Sequence, residues 1–127
     1  MPTVSDDHLA IADRFFAAIE AGDLDAVGGI YADETVIWHN HDGVAQDKAA
    51  NLRTLAWLSR TIGDVRYEEV RRIATADGFV QQHVLRGTNR SGEEVELPAC
   101  MVVTVADGRI TRLEEYFDSR HAERFRA

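Results

Sequence analysis

The sequence predicts an α+β fold: a curved antiparallel sheet wrapped around three N-terminal helices. Two observations predict it. Apolar residues recur at helical spacing through the first half of the chain, and from Val65 onward the period becomes that of strands. Between the later segments stand Asp77-Gly78, Ser91-Gly92 and Asp107-Gly108, each a tight-turn signal. Helices first and an antiparallel meander after is the α+β order. The 127 residues suit one compact domain, expected to span residues 1–127.

Each element has its own warrant. Leu9, Ala12, Phe15, Phe16 and Ile19 form one apolar stripe, hence an amphipathic first helix. Ser5 is its expected N-cap and Gly22 its stop. Asp23 caps a short second helix running to Ile30. Thr35 to Trp38 reads as a short strand and His39 to Gly43 as a polar loop. Asp47 caps a third helix carrying Leu52, Leu55, Ala56 and Ile62, which Gly63 ends. Strands follow over Val65–Ala74, Phe79–Thr88, Glu94–Ala106 and Arg109–Asp118.

Composition narrows the function classes. The net charge of -8 disfavours a nucleic-acid partner, because phosphate binding needs a clustered basic surface. The single cysteine, Cys100, excludes an internal disulfide and a cysteine-based zinc cluster. No basic stretch followed by an apolar run opens the chain, and no segment approaches the ~20 apolar residues that span a bilayer. A cytoplasmic protein with no membrane partner is the default expectation.

The stretch Arg14-Phe15-Phe16-Ala17-Ala18-Ile19-Glu20-Ala21-Gly22-Asp23-Leu24-Asp25, followed by Tyr31-Ala32-Asp33-Glu34-Thr35-Val36, resembles the start of the bacterial ketosteroid isomerases. The order of elements resembles the nuclear-transport-factor-2-like superfamily, which also holds SnoaL-like polyketide cyclases and limonene epoxide hydrolases. The resemblance covers nearly the whole chain. It implies a cone-shaped fold with a deep, mostly apolar pocket, and a homodimer. It says little about reaction, since one scaffold hosts many. The isomerase uses an aspartate base and an oxyanion hole of a tyrosine and a protonated aspartate. By the resemblance their places fall at Trp38, Phe15 and Cys100. None of these groups can do the same work, so steroid isomerisation by that mechanism is excluded.

Hairpin geometry suggests a replacement. If Asp107-Gly108 is a two-residue turn, Cys100 lies opposite Glu115, Val102 opposite Leu113 and Pro98 opposite Phe117. If Ser91-Gly92 is another, His83 lies opposite Cys100 and Leu85 opposite Pro98. Cross-strand neighbours sit ~5 Å apart, so His83, Cys100 and Glu115 would form one row on the pocket face. One bulge would break it. His83 and Glu115 are then the expected catalytic acid/base pair, burial bringing both toward neutrality. Alternatively Glu115 pairs with an arginine and His83 is a satisfied core group. Cys100 is a nucleophile only with a lowered pKa, and otherwise a small hydrophobe.

The opposite face of these strands, with Leu97, Ala99, Met101, Val103, Val105, Ile110 and Tyr116, is as apolar as the first. If it lines the pocket, Glu114, Tyr116 and Asp118 are the inward polar groups. The resemblance favours it as the outer face, buried in a dimer. It also turns Trp38 and Asn40 inward, Asn40 to orient a substrate and Trp38 to stack on it or to fill core. Phe15, Leu85, Val102, Leu113 and Phe117 complete the expected substrate-binding wall, with Trp57 as wall or ordinary packing. His39 and His41 beside Asp42 lack a third metal ligand and read as solvated loop; no metal or cofactor is expected. Tyr67 lies in a charge-rich strand and can reach the cavity mouth.

The expected function is cofactor-independent acid/base catalysis on a small hydrophobic molecule: isomerisation, hydration or ring closure. A non-catalytic ligand-binding or dimerisation domain is the other reading. Epoxide hydrolysis ranks below both, because the favoured face carries one carboxylate.

Overall fold

The computed structural model describes residues 3–127. Helix α1 runs Val4–Ala21. Its N-cap is Thr3 rather than Ser5: the Thr3 hydroxyl accepts from the Asp6 amide and the Asp6 carboxylate accepts from the Thr3 amide, a reciprocal capping box. Gly22 ends the helix at φ 70°, a left-handed turn that glycine adopts without steric cost. Helix α2 spans Leu24–Ile30 behind its Asp23 cap. Helix α3 spans Lys48–Thr61 behind Asp47.

Strand β1 covers Tyr31–His39 and is longer than the sequence suggested. A two-residue β2, Ala45–Gln46, folds back on it. Strands β3 (Gly63–Thr75), β4 (Gly78–Thr88), β5 (Glu94–Ala106) and β6 (Arg109–Phe117) form the expected antiparallel meander. The sheet order is β2-β1-β6-β5-β4-β3. Joining β1 to β6 in parallel makes the sheet mixed. It is α+β, curved and unclosed. Irregularities in β3 coincide with positive φ at Asp64 and Glu69, the local bends that curl a sheet. A fourth helix, α4 (Ser119–Phe125), had no sequence signal strong enough to name.

The concave face packs on α1 through Phe15, Phe16, Ile19, Phe79, Met101 and Leu113. A second cluster, Ile62, Leu85, Val95, Leu97 and Phe125, pins α4 over the open end of the cone. No helix of the described residues is long and apolar enough to cross a membrane.

The register corrects the expected row. Asp107 and Gly108 both take positive φ, the two-residue turn expected of them. Ala106 pairs with Arg109, but a bulge follows, and beyond it Cys100 faces Tyr116 while Met101 faces Glu115. The β4–β5 connection is not the two-residue turn Ser91-Gly92. It is a longer loop from Asn89, whose side chain accepts from the amides of Ser91 and Glu93. His83 therefore faces Ala99, and Gln82 faces Cys100. Both offsets turn β5 over. They cancel between its neighbours, so His83 and Leu85 of β4 still share a face with Leu113, Glu115 and Phe117 of β6. On β5 the inward residues are Leu97, Met101 and Val103, and Cys100 and Val102 lie on the convex face.

Candidate functional site

Between α1, α3, α4 and the concave sheet lies a cavity of about 230 Å³. Helix α1 supplies Phe15 and Ile19; α3 supplies Asn51, Leu55, Trp57 and Leu58; α4 and its following residue supply Ala122, Phe125 and Arg126. The sheet supplies Ile37, Tyr67, Leu85, Leu97, Met101, Leu113 and Phe117. The wall is mostly apolar, with few polar groups, as in ligand sites generally.

Glu115 is the buried charge among them, 8% exposed. Its place follows from β6, where Leu113 and Phe117 share its face. Parallel pairing sets His39 beside it: His39 Nε2 lies 3.2 Å from Glu115 Oε1. His41 and Asp42 follow at the rim, His41 Nε2 3.5 Å from Asp42 Oδ2.

Two tyrosines face this carboxylate. Tyr31, fully buried, donates to Asn51 Oδ1 at 2.6 Å, and Asn51 Nδ2 donates onward to Gln46 Oε1 at 3.0 Å. Tyr67 lines the cavity, and its hydroxyl has no hydrogen-bond partner among the described residues. Burial, and then the charge of Glu115, push both phenols well above their ordinary pKa. Each keeps its proton at neutral pH. The proton of Tyr31 is committed to Asn51; that of Tyr67 is uncommitted.

His83 does not line the cavity. It is closed in by the rings of Tyr67 and Phe16, with centroids 4.7 and 5.7 Å away. Gln81 accepts from Arg72 Nε at 2.7 Å, which turns its own amide NH2 toward His83 Nδ1, 2.9 Å away. His83 Nε2 is buried without a partner. The histidine expected to move protons thus lies behind Tyr67, off the cavity.

Of the other expected contacts, Phe15, Trp57, Leu85, Leu113, Phe117 and Glu115 line the cavity. Trp38 turns outward, edge-on to Tyr116 at 5.3 Å, because Ile37 and His39 take the inward positions of β1. Asn40 does not line the cavity. Its amide ties β1 to β6 by donating to the Phe117 carbonyl and accepting from the Phe117 amide. Cys100 and Val102 are on the far side of β5, as the register requires. The resemblance put the base's place at Trp38; the inward residue that ends β1 is His39. Strict alternation from Thr35 through Ile37 would have found it, had the strand been carried one residue further. Nothing in the sequence marked Asn51 or Gln46. No cluster of metal-ligating side chains is present among the described residues.

The arrangement offers a carboxylate acceptor, an imidazole at its side and a free phenol donor in one mostly apolar cavity. Residues 12–113 match the family described as the SnoaL-like domain. No curated protein matches the sequence. Among solved structures, the chain is similar to a candidate polyketide cyclase from Xanthomonas campestris pv. campestris, with 19% identity and a TM-score of 0.83 over 94% of this chain and 96% of that one. It is similar to an epoxide hydrolase of the limonene-epoxide-hydrolase-like type from M. tuberculosis, with 19% identity and a TM-score of 0.76 over 97% and 91%. It also resembles a protein of ketosteroid isomerase-like fold from Catenulispora acidiphila DSM 44928, solved with trimethylamine, with 15% identity and a TM-score of 0.75 over 85% of each chain. At these identities the likeness is one of fold.

Proposed function

The chain belongs to the SnoaL-like domain family, and on that premise we propose that it is a cofactor-independent acid/base enzyme acting on a small hydrophobic molecule held in this cavity. The observation that carries the reading is Glu115: a buried carboxylate on an apolar cavity wall, with an imidazole rather than an arginine at its side. Structural carboxylates in cores are usually neutralised by a cation; a base needs its lone pairs reachable. In this reading Glu115 takes a proton from carbon or water, His39 holds and relays it, and the Tyr67 hydroxyl donates to the oxygen on which charge develops. Isomerisation, hydration and ring closure all fit that set. The cavity lies below the ~300–1,000 Å³ of drug-sized sites, which favours a compact substrate.

Proton removal next to a carbonyl is the elementary step to test. Deuterium uptake from D2O into small cyclic ketones and enones, followed by proton NMR, reads it directly. The wild-type protein is expected to accelerate exchange above buffer, and Glu115→Gln to lose about 10²–10⁴-fold of that rate while keeping the wild-type melting temperature. Equal rates for the two proteins would remove Glu115 from the chemistry. Binding without exchange would favour the non-catalytic ligand-binding reading, for which a largely preformed cavity also speaks.

The same reading includes a homodimer through the convex face of the sheet. There Trp38, Cys100, Val102 and Tyr116 lie side by side, and Val102 and Tyr116 are 38% and 46% exposed. Exposed apolar surface of this kind marks association sites.

A further inference from the structure

The cavity continues into a trough lined by Arg53, Arg90, Arg126 and Trp57, and Gln46, Thr54, Trp57 and Arg126 belong to both spaces. The three arginines come from α3, the β4–β5 loop and the residue after α4, so no single helix stripe explains their convergence. No carboxylate lines the trough. Elsewhere in the molecule Arg66, Arg72, Arg86, Arg112 and Arg124 each sit on acidic partners. Arg53, Arg90 and Arg126 have none among the described residues, and neither do Arg14, Arg60, Arg71, Arg109 and Arg120; what sets the three apart is that they line one trough. In a chain of net charge -8, three uncompensated guanidinium groups at one cavity mouth form a local positive field.

The segments that carry two of them are tied together, and the Arg90 guanidinium itself is held. Arg90 Nη2 donates to the Arg126 carbonyl at 3.1 Å. Asn89 Nδ2 donates to the Arg124 carbonyl at 2.9 Å, and Phe125 is buried in the second core cluster. The loop and the chain end are therefore fastened to each other, which reduces the ordering cost of a guanidinium that must meet a ligand.

We propose that the trough is a subsite for an oxyanion head group, carboxylate or phosphate, borne on the hydrophobic body that the cavity takes. The ligand class is then a small amphiphilic anion, its head on the arginines at the rim and its apolar end toward Glu115. This orientation keeps the two negative charges apart and leaves the reacting carbon, not the head group, at the carboxylate. The inference rests on the cavity being the substrate site but not on proton transfer.

Calorimetric titration with octanoate, octyl phosphate and the neutral octanamide tests it. The wild-type protein is expected to bind the better of the two anions at least about tenfold more tightly than octanamide, the value of one charge-assisted hydrogen bond. Whichever anion binds more tightly identifies the head group. The double variant Arg53→Gln/Arg126→Gln is expected to lose that preference, read as the ratio of anion to octanamide affinity; both side chains are exposed, so the fold is retained. Raising the salt concentration should weaken the anions alone. An anion that binds no better than octanamide, an unchanged preference in the double variant, or no binding of any of the three overturns the proposal. An anion preference that survives in Glu115→Gln, whatever happens to exchange, separates this subsite from the proton-transfer reading.

Discussion

His83 is surrounded by rings, and only Gln81 touches its polar atoms. Burial is the larger cause that lowers its pKa below the ordinary 6.5; Glu115 pulls the other way and Arg72 adds to the lowering. The unfolded chain therefore takes up this proton before the folded one does. Stability that is complete above pH 6.5 is lost as the pH falls toward the folded-state value. Urea unfolding at pH 7.5 and 5.5 should show a larger loss for wild type than for His83→Gln, whose side chain does not titrate. Identical losses would mean that His83 is not held neutral. The sequence expected His83 rather than His39 at the cavity for a single reason. Both histidines sit on the concave face, and alternation reports the face of a residue, not whether another ring stands in front of it. Tyr67 stands in front of His83, whereas His39 lines the cavity. Glu115 was legible because Leu113 and Phe117 flank it at a spacing of two. Tyr31 and Asn51 meet across residues that no local pattern connects.

The connections between elements decided which side chains share the site. The bounds of β4 and β5 follow closely from their β-branched runs, but their register does not, because register depends on the loop. Asn89 takes the part of a backbone turn, accepting from two amides and donating to the carbonyl of Arg124. This side-chain turn lengthens the connection beyond Ser91-Gly92 and sets β5 one residue away from the tight-turn pairing. Asn89→Ala removes these three part-buried hydrogen bonds and is expected to cost about 1–3 kcal/mol by urea unfolding. Asn89→Asp keeps the acceptor and loses the donor, and should fall between the two. If Asn89→Ala matched wild type, the loop would not be organised by this side chain. The bulge between β5 and β6 carries no marker, since Thr111 reads as an ordinary strand residue. Its effect reaches the site all the same, by placing Glu115 opposite Met101 rather than Cys100.

For the whole molecule, the curved sheet has two apolar faces with different uses. The concave one is filled by α1 and α3; the convex one carries Val102 and Tyr116 exposed beside Cys100 and Trp38. In the homodimer proposed here, light scattering after size exclusion should report twice 14.2 kDa for wild type, and 14.2 kDa for Val102→Glu. The substitution sits at an exposed position, so a folded monomer is the expected product. A monomeric wild type would refute the dimer. The fold class was legible at this scale because helix and strand periods segregate along the chain. Which face of β5 points inward was not, because Cys100 and Val102 alternate with residues as apolar as themselves. The cavity between the layers has one more consequence. About 230 Å³ within the cone is left unfilled by the protein's own side chains. A molecule that lodges there meets its site only in the folded chain, so binding draws the folding equilibrium toward the native state and the melting temperature rises with the guest's concentration.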